Sequence, residues 1–270
     1  LNFGRAMRWG SGKFEFIRPI RSIACVLGGQ NVDFEIYGVR SAATFFPHRK
    51  FGYEAIKFKD AADYFALLER NGVILSEQKR KDKILSEFAK LEKKYGFKIE
   101  IDPALLDEVT AITEYPTALL GSFERDFLSV PKEVIITSMK ENQRYFPVFE
   151  GKNLSNHFVV VSNAITDDDE LVIRGNEKVL RARLSDAMFF WKSDLQAEFS
   201  PEKLKQISYM QALGSVYDKQ VRELAVARAL SADYATQIEA EIGKKDFARD
   251  VENAVMFSKA DLSSTMVGEF

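Results

Sequence analysis

The spacing of apolar residues in this chain switches back and forth between a period of about two and a period of about 3.6, and a chain patterned that way folds as a mixed α+β structure. Before Asp60 the pattern is that of short strands. Ser22 to Leu27, a Gly28-Gly29 turn, and Val32 to Tyr37 with Val32, Phe34 and Ile36 on one face read together as a hairpin. From Asp60 onward Ala61, Tyr64, Phe65 and Leu68 form a helical stripe that stops at Asn71-Gly72. Ile84, Phe88, Leu91 and Tyr95 define a second helix over the charged stretch Glu77 to Lys94, with Gly96 as its stop. Phe97 to Ile101 alternates as a strand, and Asp102 and Pro103 then supply the N-cap and first position of a helix carrying Leu105, Leu106 and Val109, which Tyr115-Pro116 closes.

Further on, the β-branched run Val134, Ile135, Ile136 predicts a buried strand, as does Phe158 to Val161. Thr166 with Asp169 resembles a capping box at the head of a long helix, whose first turn is acidic from Asp167 to Glu170. Phe189, Phe190 and Trp191 are expected to dock that helix on a core. Ser200-Pro201-Glu202 is the clearest boundary, and helical stripes without a strand pattern follow it. These patterns predict an α+β domain over 1–199, a mixed sheet flanked by helices, and a helical segment over 200–270.

At 270 residues and 46% hydrophobic content, with 22 Phe, the chain can bury a large aromatic core. Lys and Arg total 38 against 40 Asp and Glu, so any nucleic-acid contact must come from local patches. One patch is Arg5, Arg8, Lys13, Arg18 and Arg21, opposed only by Glu15. The single cysteine, Cys25, has apolar neighbours and is expected to be a buried thiol. No His, Cys, Asp and Glu grouping has zinc spacing, and phosphate-loop, dinucleotide and nucleophile-elbow patterns are absent. No apolar run approaches the roughly 20 residues that cross a bilayer, which predicts a cytoplasmic protein without a membrane partner. Starting at Leu1 without Met and stopping in mid-pattern, the chain reads as an internal piece of a longer one.

The candidate site residues lie in two blocks. In Thr137-Ser-Met-Lys-Glu-Asn-Gln-Arg-Tyr-Phe-Pro-Val-Phe149, Lys140, Asn142, Gln143 and Arg144 offer donors to phosphate or base edges, and Tyr145 offers a ring on which a base could stack. In Gly175-Asn-Glu-Lys-Val-Leu-Arg-Ala-Arg-Leu-Ser-Asp-Ala-Met-Phe-Phe-Trp191 and just before it, Arg174, Lys178 and Arg181 are spaced to share one helix face. A solvated or structurally bonded surface remains the alternative for both blocks.

These blocks, with Leu213-Gly-Ser-Val-Tyr-Asp-Lys-Gln-Val-Arg222 and Ser258-Lys-Ala-Asp-Leu-Ser-Ser-Thr-Met-Val-Gly-Glu-Phe270, resemble the beta subunit of the bacterial two-subunit glycyl-tRNA synthetase, from Arg8-Trp9 to the last residue. The resemblance implies an editing-like domain similar to that of the phenylalanyl-tRNA synthetase beta subunit, followed by a truncated HD-like segment. It also implies an α2β2 parent that uses ATP and Mg to charge tRNA(Gly), with the adenylate-forming site on the alpha subunit. The beta chain would then grip tRNA and support alpha, carry no cofactor, and fail to activate glycine alone. Two departures stand out: Thr44-Phe-Phe-Pro-His-Arg49 replaces the family's Thr-Arg-Gly-His-Arg-like string, and no His-Asp doublet is present. A hydrolytic editing domain acting at the 140–145 block and a pure assembly scaffold with exposed Phe45, Phe46 or Phe190 are the alternatives.

Overall fold

A computed structural model of the chain describes residues 3–243 and 247–268. It divides into two compact units, one made of the chain through Glu124 with Met139–Leu180, the other of Arg125–Ser138 with the chain from Arg181 onward. The change of pattern at Ser200 falls inside the second unit.

The first unit opens with very short strands: β1 (Ile23–Ala24), β2 (Val26–Leu27), β3 (Gln30–Asn31), β4 (Glu35–Ile36) and β5 (Val39–Ala42). Where the sequence predicts one hairpin there are two: β2 pairs with β3 across Gly28-Gly29, and β4 with β5 across Tyr37-Gly38. β1 joins β5 in parallel, a pairing too remote in sequence for an alternation pattern to specify. Cys25, between β1 and β2, is half-buried rather than enclosed. β6 (Thr44–Phe45) and β7 (Ile56–Lys57) pair beside α1 (Ala61–Arg70), and Phe45, Phe58 and Leu68 form a small core there. The Asp60 side chain caps α1 by accepting from the Asp63 N–H at 3.0 Å.

The larger core is built by α2 (Glu77–Tyr95), β8 (Lys98–Ile99), α3 (Pro103–Ile112) and the strand β9 (Thr117–Ser122). After α4 (Lys132–Thr137) come β10 (Phe146–Glu150), β11 (Asn153–Ser162) and α5 (Asp169–Gln196). The four strands form an antiparallel sheet in the order β8-β10-β11-β9. Strand alternation sends Phe146, Val148 and Val159 to one face, where they meet Ile84 and Phe88 of α2 and Leu105, Leu106 and Val109 of α3. Both helices start where the sequence places them. Ser76 caps α2 and Asp102 caps α3, each side chain accepting from backbone N–H groups of the first turn.

Val134, Ile135 and Ile136 are helical, not a strand: they lie in α4, which runs directly into a π-helical turn over Ser138–Gln143. The β preference of a three-residue branched run is a packing preference, and Glu133 in the first turn favours the helical alternative. At the head of α5 the capping side chain is Asp168, which accepts from the Leu171 N–H at 2.9 Å; Thr166 accepts from the Asp168 N–H one step earlier, so the expected Thr166 cap is displaced by two residues.

In the second unit, Ser200 caps a short 3-10 turn, Pro201–Gln206, and not a long helix. A hairpin of β12 (Ser208–Met210) and β13 (Gly214–Ser215) follows, correcting the all-helical expectation. Ser215 and Asp218 then form a capping box that starts α6 (Val216–Asp233), followed by α7 (Ala235–Ile242) and α8 (Ala248–Phe257). The Gln220 amide donates to the Val255 carbonyl at 3.0 Å, and Arg228 forks onto Glu252, so α6 and α8 are tied at two levels. Phe189 on α5 is 65% exposed, its ring edge-on to that of Phe190, and so does not dock the helix on a core as expected, unlike the half-buried Phe190 and Trp191.

Candidate functional site

The first candidate block sits where the π-turn delivers the chain into β10. Pairing of β8 with β10 (Ile99 opposite Val148) draws the acidic stretch between β8 and α3 alongside it. Lys140 consequently lies 2.6 Å from Asp102 and 3.5 Å from Glu100, and is largely covered. Its hydrogen bond to Asp102 raises the ammonium pKa; the same bond, with N–H donors of Leu105 and Ala104, lowers that of the Asp102 carboxyl. Arg144, with φ of 60°, bonds Glu108 at 2.6 Å and the Glu141 carbonyl. Two of the four expected donors are thus committed to protein acids. Asn142 is exposed and Gln143 half-buried, neither with a side-chain bond among the described residues.

Tyr145 is 3% exposed, and its ring stacks on Phe158 with centroids 4.7 Å apart. The ring face expected to receive a base is therefore already occupied. Its hydroxyl donates to Asn176 Oδ1 of α5 at 2.7 Å, and burial pushes the phenol up to about 12. The neutral phenol is the form that the fold favours, so this contribution is intact below pH ~10 and disappears as pH rises from about 10 to 12, at about 1.4 kcal/mol per pH unit. Tyr145→Phe is expected to abolish that alkaline slope in urea-unfolding free energies while lowering stability at pH 7 by about 1–2 kcal/mol, since Asn176 Oδ1 loses its donor. A slope that survives in Tyr145→Phe assigns the titration to another group.

On α5, Arg174 has only a loose, exposed contact with Glu170 at 3.6 Å, and Lys178 is exposed without an ion pair among the described residues. Arg181 is exposed too, belongs to the second unit, and makes a contact within the protein.

A third feature was only glimpsed in sequence. A cavity of about 580 Å³ in the first unit is lined by residues around His48 and by Arg21, Glu114 and Asn163, with none of residues 140–145 among its lining. His48 is buried and doubly bonded: Nε2–H donates to the Asn163 carbonyl at 2.7 Å, and Nδ1 accepts from the Lys50 N–H at 3.2 Å. It caps the 3-10 turn Arg49–Phe51. Asn163 Oδ1 in turn accepts from the N–H groups of Glu114 and Tyr115 at 2.7 and 2.9 Å, tying that part of the lining to His48. The string at residues 44–49 marked this loop; its partners, more than a hundred residues away, left no local sign. Phe45 is buried and Phe46 exposed.

Among the described residues no group of three His, Cys, Asp or Glu could hold a metal ion, and no helix is long and apolar enough to cross a membrane. Over residues 1–270 the chain matches the model of a family described as glycyl-tRNA synthetase beta subunit. It is 46% identical over 278 residues to the glycine–tRNA ligase beta subunit of Helicobacter pylori, covering 100% of this chain and 39% of that relative. The corresponding beta subunit of Clostridioides difficile is 42% identical over 271 residues (99% of this chain, 38% of the relative), and that of Bacillus subtilis 41% over 274 (100% and 39%). The chain thus spans about two fifths of the length of the curated relatives it matches. These likenesses place the chain in the class of proteins named as aminoacyl-tRNA synthetase subunits. More narrowly, the chain belongs to the glycyl-tRNA synthetase beta-subunit family.

Proposed function

We propose that the chain is part of the tRNA-gripping, non-adenylating beta subunit of a glycine–tRNA ligase, working with an alpha subunit that uses ATP and Mg to attach glycine to tRNA(Gly) in an α2β2 assembly. The observation that carries this is the family match over the entire chain. In this reading residues 1–199 correspond to the editing-like part and 200–270 to the HD-like part. Grip on RNA falls to cations that are not held in close carboxylate pairs; the Arg174 contact with Glu170 is long and exposed. Lys140 and Arg144 are matched, whereas Arg174 and Lys178 stand exposed one helical turn apart on α5.

Replacing both by glutamine in the complete alpha–beta complex is therefore expected to weaken tRNA binding and to flatten the plot of log affinity against log salt by about 0.9 per lost phosphate contact. Arg181 is left in place because it serves a contact inside the protein. The melting temperature should hold, since exposed positions away from caps change stability by about 0.5 kcal/mol or less. An unchanged salt slope would refute the assignment of tRNA contact to this helix.

A further inference from the structure

We infer that the cavity beside His48 is a binding site for one unpaired nucleotide of a single-stranded RNA segment, with Arg21 and Arg49 on the phosphate and Tyr53 against the base. This rests on the RNA-binding reading above but concerns a different surface. Its volume, about 580 Å³, lies in the range of small-ligand pockets. Arg21 and Arg49 both line it, both are exposed, and neither has an ion pair among the described residues, in contrast to Lys140 and Arg144. Guanidiniums that are not held in ion pairs keep their donors available, and a phosphate at this cavity would take charge-assisted hydrogen bonds from them.

The aromatic side of the site is equally unspent. Tyr53 is 78% exposed at the rim, and Phe46 is exposed too, so a ring face remains open to a base. The frame holding them is rigid. His48 is buried with both ring nitrogens bonded, and Gly52, at φ of 120°, turns the chain between Arg49 and Tyr53. Beside His48 the Asn163 side-chain oxygen is consumed by two N–H groups, which leaves its NH2 as a donor, and the exposed Glu114 carboxylate is an acceptor suited to a base amine. A donor, an acceptor, a ring face and two cations suit a nucleotide. A purely apolar partner would instead bury both guanidiniums unpaired. Bases inside a duplex keep their faces covered, so the segment recognised is single-stranded.

The test uses a fluorescently labelled single-stranded tetraribonucleotide and the full chain, followed by anisotropy at several salt concentrations. The wild type is expected to bind the tetramer, with a blunt RNA duplex competing poorly. Tyr53→Ala should weaken binding by about tenfold with the salt slope unchanged. Arg21→Gln with Arg49→Gln should also weaken it and flatten the slope by about 1.4, at about 0.7 per contact for a single strand. Failure of the wild type to bind the tetramer, equal competition by duplex, or wild-type affinity in both variants would each overturn the site. The same variants in the alpha–beta complex separate this inference from the broader one. If tRNA is held and weakened only by Arg174→Gln with Lys178→Gln, the cavity assignment falls while the tRNA-gripping role stands. If the wild-type complex does not hold tRNA, the role itself falls.

Discussion

Phe146→Ala is expected to lower the unfolding free energy of the first unit by about 3–5 kcal/mol, a large share of the 5–15 kcal/mol that an ordinary domain possesses. The ring is 0% exposed and packs edge-on against Phe88 of α2, with centroids 4.9 Å apart. Its strand neighbour across the sheet is Val159, itself buried in the same cluster. Collapse into the vacated space is restricted, because β10 is held by β8 on one side and β11 on the other. The destabilisation should therefore approach the upper part of the range. Urea unfolding of the variant should show an earlier midpoint at an unchanged slope. Phe189→Ala is the matched control: that ring is solvent-exposed, and its loss should change stability by about 0.5 kcal/mol or less. A loss under 1 kcal/mol for Phe146→Ala would mean that the cluster is not the element holding this unit together.

How much of this was legible in the sequence depends on whether the determining contact is local. α1, α2 and α3 begin beside the capping residues Asp60, Ser76 and Asp102, because a cap is chemistry among residues two or three apart. The stripe Ile84, Phe88 and the stripe Leu105, Leu106, Val109 entered one core as their spacing implied. α4 was misread because Val134 to Ile136 carry a β preference that their surroundings override. The hairpin β12–β13 was missed because each strand is only two or three residues long, too short for any period to declare itself. The candidate site was harder still. Nothing within the 137–149 block foretells that Lys140 and Arg144 would meet Asp102 and Glu108, since those acids arrive through the β8–β10 register. Nor does it foretell that Phe158, from the neighbouring strand, would cover the Tyr145 ring. A run of donors in sequence marks where charge is placed; the fold decides whether that charge remains available to RNA.

The second large effect is expected at Gly72, and a neighbouring glycine of the same conformation allows it to be partitioned. Gly72 and Gly96 both have φ of 75°, in the left-handed region where a side chain costs about 1–2 kcal/mol. Around Gly96 an added Cβ meets nothing within 4 Å, so Gly96→Ala should show the conformational cost alone. At Gly72 the same atom would stand 2.5 Å from Ile165 Cδ1, 2.8 Å from Phe51 Cε2 and 3.0 Å from His48 Cβ. His48 cannot retreat without breaking its bond to the Asn163 carbonyl, and Phe51 ends the turn that His48 caps. Overpacking of this kind adds about 1–3 kcal/mol, which brings Gly72→Ala to a total of about 2–5 kcal/mol. Chemical denaturation of the two variants should therefore give a difference of at least 1 kcal/mol, roughly the low end of that overpacking term. Because one of these neighbours, His48, lines the cavity, Gly72→Ala should also weaken tetraribonucleotide binding, whereas Gly96→Ala should leave it unchanged. Equal destabilisation by the two substitutions would show that the wall around His48 yields freely, and would remove the rigidity on which the nucleotide site depends.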